Sequence, residues 1–432
     1  MTSLPRQTFE LPESRTEAYA TTLVFAFLLL LSIGTNPFME GSSVAIDKSG
    51  AGDSTRQIII LVLIAAASPL FVTRRRQLLR ILSTNRSFLL VVGWSLLSIF
   101  WSDVMEIAAR RMLGTLLLAA LTLITASLSP RRLVDVLLTF TGTIMTIDYL
   151  GIIFVPALAI DHEGMWEGLH SQKNVAGEFS AVSVLLWLSM GLARKDTWLL
   201  VGGIAWGVFL WFTHSSASLG MLLAMLPFGM LFSAGLMRGF DRKILLLLLL
   251  FGGLVIPLFI YVALTLLADI YGDIDFAIID LTFTGRTEIW QFVWKSILQS
   301  PLLGAGYGSF WAIGDRSPAL LHASEFVAQY TEAHNGYLDV LVSIGAIGLM
   351  LTVSALAQTY HALWFYRSSQ TDTATREALL CALLLLTFGI FHNVLESSLL
   401  MGLSTLWTLM LLSLWVITSR IFSNVHVYDS TV

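Results

Sequence analysis

From Tyr19 to Arg420 the chain is a succession of apolar runs divided by short polar connections, a pattern that few folds can accommodate. The runs fall at 19–35, 57–73, 87–101, 110–128, 133–155, 174–192, 197–213, 216–235, 244–268, 335–365, 376–394 and 398–420. Most approach the roughly 20 residues that a helix needs to cross a hydrocarbon core. Hydrophobic residues fill 56% of the 432 positions and charged residues only 12%, so most of the chain cannot face water and its solvent must be lipid. In lipid a backbone segment has to satisfy its own polar groups, which favours helices. The expected fold is an all-α polytopic membrane protein of about 12 transmembrane helices.

The first run follows a polar leader holding Arg6, Glu10, Glu13, Arg15 and Glu17, and no small-residue cleavage pattern closes it, so it is expected to stay as a span. The single cysteine, Cys381, lies inside an apolar run, which excludes an internal disulfide and a cysteine-based metal site. The net charge of −4 gives no indication of a nucleic-acid partner.

Orientation follows from the basic residues. With the N-terminus in the cytoplasm, Arg74, Arg75, Arg76, Arg80, Arg86, Arg131, Arg132, Arg194, Lys195, Arg238, Arg242, Lys243, Arg367, Arg376 and Arg420 all fall inside. Lys48, Arg56, Arg110, Arg111, Lys173, Arg286, Lys295 and Arg316 fall outside, spread over much longer loops. The expected organisation is a cytoplasmic leader (1–18), transmembrane helices 1–9 (19–268), a large periplasmic loop with an interfacial helix (269–333), transmembrane helices 10–12 (334–421) and a cytoplasmic tail (422–432). Both termini then lie on the cytoplasmic side of a bacterial inner membrane.

Residues able to do chemistry gather on the outer face. His170-Ser-Gln-Lys173-Asn174 opens the sixth span, with Glu178 one turn further in, where an ionised side chain is costly unless paired. If the helix starts early, His170, Asn174 and Glu178 share a face; the competing reading is a helix cap with Lys173 among headgroups. His214-Ser-Ser-Ala-Ser218 is a short polar turn. Gly285-Arg286-Thr287-Glu288 precedes an amphipathic stretch, and an arginine at a helix N-terminus supplies two anion-binding devices; an anchoring role would look the same. Gly304, Gly306 and Gly308 form a GxGxG run without βαβ context, which reads as a flexible turn. Asp273 and Asp275 have a DxD spacing that in an acidic loop says little about metal. Glu332-Ala-His334-Asn335 opens the tenth span, and a histidine there suits general-base work. His392 and Glu396 lie one helical turn apart at the outer end of the eleventh. Asp148 has no evident partner.

The segments SQKNVAG, HSSAS, GRTEIW, GAGYGSF and HNGYLDVLVSIGAIGL resemble, in content and order, the O-antigen ligase and Wzy-type polysaccharide polymerase superfamily, and are most similar to exopolysaccharide-production polymerases of the ExoQ type. The similarity covers roughly residues 165 to 400. It implies a fold related to the C-type glycosyltransferases and an undecaprenyl-diphosphate-linked oligosaccharide as donor. It also implies chemistry without a cofactor or metal. Arg286 and His334 match the family's functional arginine and histidine; Lys173, Arg110 and Arg111 match less closely.

The resulting expectation is a membrane glycosyltransferase that polymerises lipid-linked repeat units into exopolysaccharide at the periplasmic face. His334 and Arg286 would be catalytic, while Lys173, Arg110, Arg111, His170, Glu332, His392 and Glu396 would bind substrate. Expected partners are the lipid-linked donor, a glycan acceptor, membrane lipid and a chain-length regulator or export protein. The alternatives are a ligase that moves glycan to lipid A core or protein, and, more remotely, a lipid-linked glycan transporter. Transporters usually carry inverted repeats and broken helices that place charge at the bilayer midplane, whereas this sequence shows no internal repeat and its polar residues sit at one face beside a long one-sided loop.

Overall fold

A computed structural model describes residues 13–33, 53–236, 286–364, 371–402 and 404–429. Its elements are helical: α1 (Glu13–Ile33), α2 (Ser54–Thr73), α3 (Arg75–Thr84), α4 (Arg86–Leu97, extended by a 3-10 turn to Trp101), α5 (Met105–Ala126) and α6 (Pro130–Phe154). They continue as α7 (Lys173–Arg194), α8 (Thr197–Phe212), α9 (Ser216–Leu236), α10 (Arg286–Gln299), α11 (Gly336–Trp364), α12 (Thr373–His392) and α13 (Thr405–Asp429). Among the described residues the only β pairing is an isolated bridge between Ile160 and Trp166.

Seven of these helices are long and apolar enough to cross a membrane by themselves: α1, α2, α5, α6, α7, α11 and α12. Apolar stretches of α4, α8, α9 and α13 are shorter. The chain is a multi-pass membrane protein. Eleven of the expected runs coincide with helices, and the run at 244–268 lies outside the described residues.

Local chemistry explains where helices start. The Asp53 and Asp372 carboxylates accept hydrogen bonds from the Arg56 and Thr375 amides, and Asp196 accepts from Trp198, so acids cap three N-termini. Pro130 begins α6, where its missing N–H costs nothing. The bundle has a centre: 72% of the apolar window of α7 and 67% of that of α12 are buried, against 17% for α2, which presents its surface to lipid.

α11 is broken. Gly345 has φ +71 and ψ −177, and the freed backbone groups are taken up by the chain between α10 and α11. The Ala346 amide donates to Pro301 O (2.9 Å), while the Ala305 and Gly306 amides donate to Val342 O and Ser343 O (2.9 and 2.8 Å). Gly304 and Gly306 have φ of +69 and +100 at this stitch, and a Cβ on Gly304 would stand 2.6 Å from the Gly345 nitrogen. The glycine run expected to be a flexible turn is instead pinned, because only a side-chain-free backbone can approach a broken helix so closely.

Candidate active site

Three chain segments meet around one carboxylate. Glu396, 7% exposed, sits in the turn after α12, where the Asn393 side chain accepts from the Ser398 and Leu399 amides (2.8 and 2.9 Å) and fixes the local backbone. One Glu396 oxygen accepts from Arg286 Nη2 at 2.7 Å, and the other lies 2.8 Å from His334 Nδ1. Arg286 also donates to the Leu395 carbonyl. The Asn174 amide approaches the first oxygen from α7 at 3.4 Å.

His334 stands just before α11 with φ +49, a left-handed conformation uncommon for a residue with a side chain. Asn335 caps α11 by accepting from the Tyr337 and Leu338 amides (both 3.1 Å). The Gly336 amide reaches the carbonyls of Asn393 and Glu396 (2.9 and 3.1 Å), and a Cβ at Gly336 would collide with the Asn393 side chain. Glycine is thus required where the turn before α11 presses on the turn after α12. Glu332 Oε1 lies 3.4 Å from His334 Nδ1.

The charges follow from this packing. Burial alone would raise the Glu396 carboxyl, but the hydrogen bond and charge of His334 and the charge of Arg286 outweigh it, so Glu396 titrates below its ordinary value. Burial pulls His334 down, yet the hydrogen bond and charge of Glu396 and the charge of Glu332 dominate, and its pKa is raised. Glu332 is pushed up to about 8, chiefly by burial. With Nδ1–H directed at Glu396, Nε2 is left as the basic nitrogen of His334.

The remaining expected residues are placed differently. Lys173 begins α7, one residue from Asn174, with its ammonium 3.0 Å from the Met165 sulfur, a weak acceptor. Arg110 is half-buried near the start of α5 and has no hydrogen-bond or ion-pair partner among the described residues. Arg111 points into protein, donating to the carbonyls of Gly308 (2.6 Å), Trp311 (2.8 Å) and Ala312 (2.6 Å), so its fork braces the loop before α11.

His170 lies outside the helix it was expected to open, since α7 starts at Lys173. It is buried with Nε2 3.3 Å from Asp148, which supplies the partner Asp148 lacked in the sequence. The other Asp148 oxygen accepts from the Leu169 amide (2.8 Å), fixing the chain ahead of α7. His392 is also buried, between Ser218 Oγ (3.1 Å from Nε2) and Glu178 (3.4 Å from Nδ1). These approaches bring α7, α9 and α12 together around His392. His214 is exposed. Gly285, Asp273 and Asp275 lie outside the described residues.

The ligand atoms of Glu332, His334 and Glu396 lie within 4.8 Å of one another, close enough to surround one metal ion. Glu396 already carries the Arg286 guanidinium, whose fixed positive charge opposes a cation there.

Residues 203–353 match the family model described as O-antigen ligase. The chain is similar to O-antigen ligases. The matched segment contains Arg286 and His334, and Glu396 lies beyond its end. A stretch of 128 residues is 29% identical to the exopolysaccharide production protein ExoQ of Rhizobium meliloti (strain 1021), covering 29% of this chain and 28% of that protein. Both matches agree with the ligase and polymerase resemblance of the motifs.

Asn174, Asp339 and Ser397 escaped the sequence reading as site residues. Asn174 stood inside a quoted motif, whereas Ser397 carried no signal beyond adjacency to Glu396. Asp339 accepts from Ala333, Trp311 and Ser397 beneath His334.

Proposed function

We propose that this protein is a membrane glycosyltransferase that polymerises oligosaccharide repeat units carried on a polyprenyl diphosphate, acting at the periplasmic face of a bacterial inner membrane. The observation that carries the reading is the Arg286–Glu396–His334 constellation. A sugar hydroxyl attacking an anomeric carbon must lose its proton, and His334 Nε2, with Nδ1 held by Glu396, is arranged as the base. The departing diphosphate needs cations: Lys173 and Arg110 are assigned to it, with the remaining N–H groups of Arg286 assisting. Arg111, whose fork is spent on three carbonyls, and His170, which is buried beside Asp148, are given no substrate contact.

An apolar groove of about 680 Å³ opens along α4 and α11, lined by Leu89, Trp94, Phe100 and Leu351 among others. Trp94 and Trp101 of this region donate to the carbonyls of Ile344 and Leu303 at the helix break (2.9 and 3.3 Å). We assign the groove to the polyprenyl tail. A chain-length regulator or export protein remains a candidate partner.

A ligase that transfers glycan to lipid A core or protein is the second reading, favoured by the family match. Transport receives less support: the break in α11 is filled by the protein's own loop. The test uses purified protein in nanodiscs with a defined lipid-linked repeat unit. Ladders of lengthening glycan are expected; consumption of donor only when a lipid A core acceptor is added would favour the ligase, and no glycan transfer to either acceptor would overturn the enzyme reading.

A further inference from the structure

Asp339 lies one turn inside α11 and is 9% exposed, with no role in the chemistry proposed above. Its surroundings nevertheless lead to the base. The Ala333 amide donates to both carboxylate oxygens at 3.1 Å, and Trp311 Nε1 donates at 2.7 Å. Ser397 Oγ donates to the same carboxylate while accepting from the Asn335 amide at 2.9 Å.

Ala333 and Asn335 flank His334, whose left-handed backbone needs support from both sides. Ser397 adjoins Glu396. Every group around the Asp339 carboxylate is a donor, so an acceptor-only side chain fits and an amide would set donor against donor.

We propose that Asp339 is the positioning residue of the His334–Glu396 pair: through the Ala333 amide and the Ser397 hydroxyl it locks together the segments that carry the base and its orienting carboxylate. This rests on the reading of His334 as the base. Trp311 extends the lock to the loop that Arg111 braces, so the chain between α10 and α11, α11 itself and the turn after α12 are registered at one carboxylate. Substrate does not touch Asp339, and its loss should slow transfer while sparing donor binding.

The test compares Asp339→Asn, Ser397→Ala, Glu396→Gln, His334→Ala and the double variant Asp339→Asn/Glu396→Gln in nanodiscs with the defined lipid-linked repeat unit. Asp339→Asn should lower kcat about 10- to 100-fold, as misplacement of a reacting group by about 1 Å does. Donor KM should stay within about twofold. The double variant should be about as slow as Glu396→Gln alone, because both substitutions act through His334. Wild-type kcat in Asp339→Asn, a matching rise in donor KM, or multiplying losses in the double variant would each overturn the proposal. If Asp339→Asn fails to insert, Ser397→Ala, which removes the acceptor for the Asn335 amide, decides by the same criteria. Full turnover by His334→Ala would instead overturn the reading of the base, whatever Asp339 does.

Discussion

His334 Nδ1 stands 2.8 Å from one oxygen of Glu396, and Arg286 Nη2 stands 2.7 Å from the other, so one buried carboxylate orients a base and holds a cation. Glu396→Gln keeps the shape but turns an N–H toward His334 or Arg286 and removes the charge that favours the protonated ring. By analogy with asparagine in place of a serine-protease triad aspartate, glycan transfer should fall by about 10²- to 10⁴-fold. Product ladders from purified variant and wild type at matched protein levels check this; a loss under threefold would remove Glu396 from the mechanism.

The pH profile follows from the direction of the His334 shift. A general base works as neutral imidazole, and the pKa of His334 is raised above 6.5 by Glu396 and Glu332 against the pull of burial. Transfer should therefore be weak at low pH and rise as the proton leaves, with a midpoint above 6.5. Glu332→Gln removes a carboxyl that favours the protonated ring only where it ionises, near pH 8, so the alkaline end of the profile should move down while the acid end stays. Initial rates between roughly pH 5 and 9 measure both. A rate that falls as pH rises through this window would assign His334 to acid catalysis.

The parts legible in the sequence were those set by burial alone. Long apolar runs marked the helices, and isolated charges at their outer ends marked Arg286, His334 and Glu396, because lipid makes such residues expensive wherever they lie. Partners were not legible, since packing sets them over long separations. Arg111 meets carbonyls almost two hundred residues away, and Asp148 meets His170 from the preceding helix. The break in α11 was hidden because Gly345 reads as a small helix residue until the loop from Pro301 to Gly306 is laid against it. One hint was present: the run at 335–365 is longer than a membrane crossing needs.

That loop should be intolerant of change. A Cβ on Gly306 would stand 2.8 Å from the Ser102 side chain and 3.0 Å from the Ser98 carbonyl, at a φ of +100. Gly306→Ala should cost about 1–3 kcal/mol from backbone strain, with the close contact adding to it. Arg111→Lys should cost a similar amount, because an ammonium cannot span three carbonyls as a fork does. Thermal unfolding in detergent, followed by intrinsic fluorescence, measures both, and an unchanged midpoint would show that the loop is not a structural clamp.

Metal independence is an expectation with a clear opponent, the Glu332–His334–Glu396 cluster. Dialysis against EDTA should leave glycan transfer intact, and Asp273→Asn with Asp275→Asn should do the same. Loss of activity restored by a divalent cation would mean that an ion displaces Arg286 from Glu396.

Arg286→Lys separates chemistry from anchoring. An arginine that only fixes α10 among headgroups could be replaced by lysine, since both side chains reach the interface with a charge. Arg286 instead uses two nitrogens at once, one on the Leu395 carbonyl and one on Glu396, and a planar fork can do this while directing further N–H groups toward a diphosphate. Lysine retains the charge and loses that geometry, so Glu396 and the His334 ring it holds would shift. Glycan transfer should drop at least about tenfold. Donor affinity should weaken as well, unlike in His334→Ala, where donor binding is retained and only product is lost. Measuring donor binding and product formation on the same purified variants distinguishes the two residues. Wild-type values of both quantities in Arg286→Lys would return Arg286 to the role of a headgroup anchor.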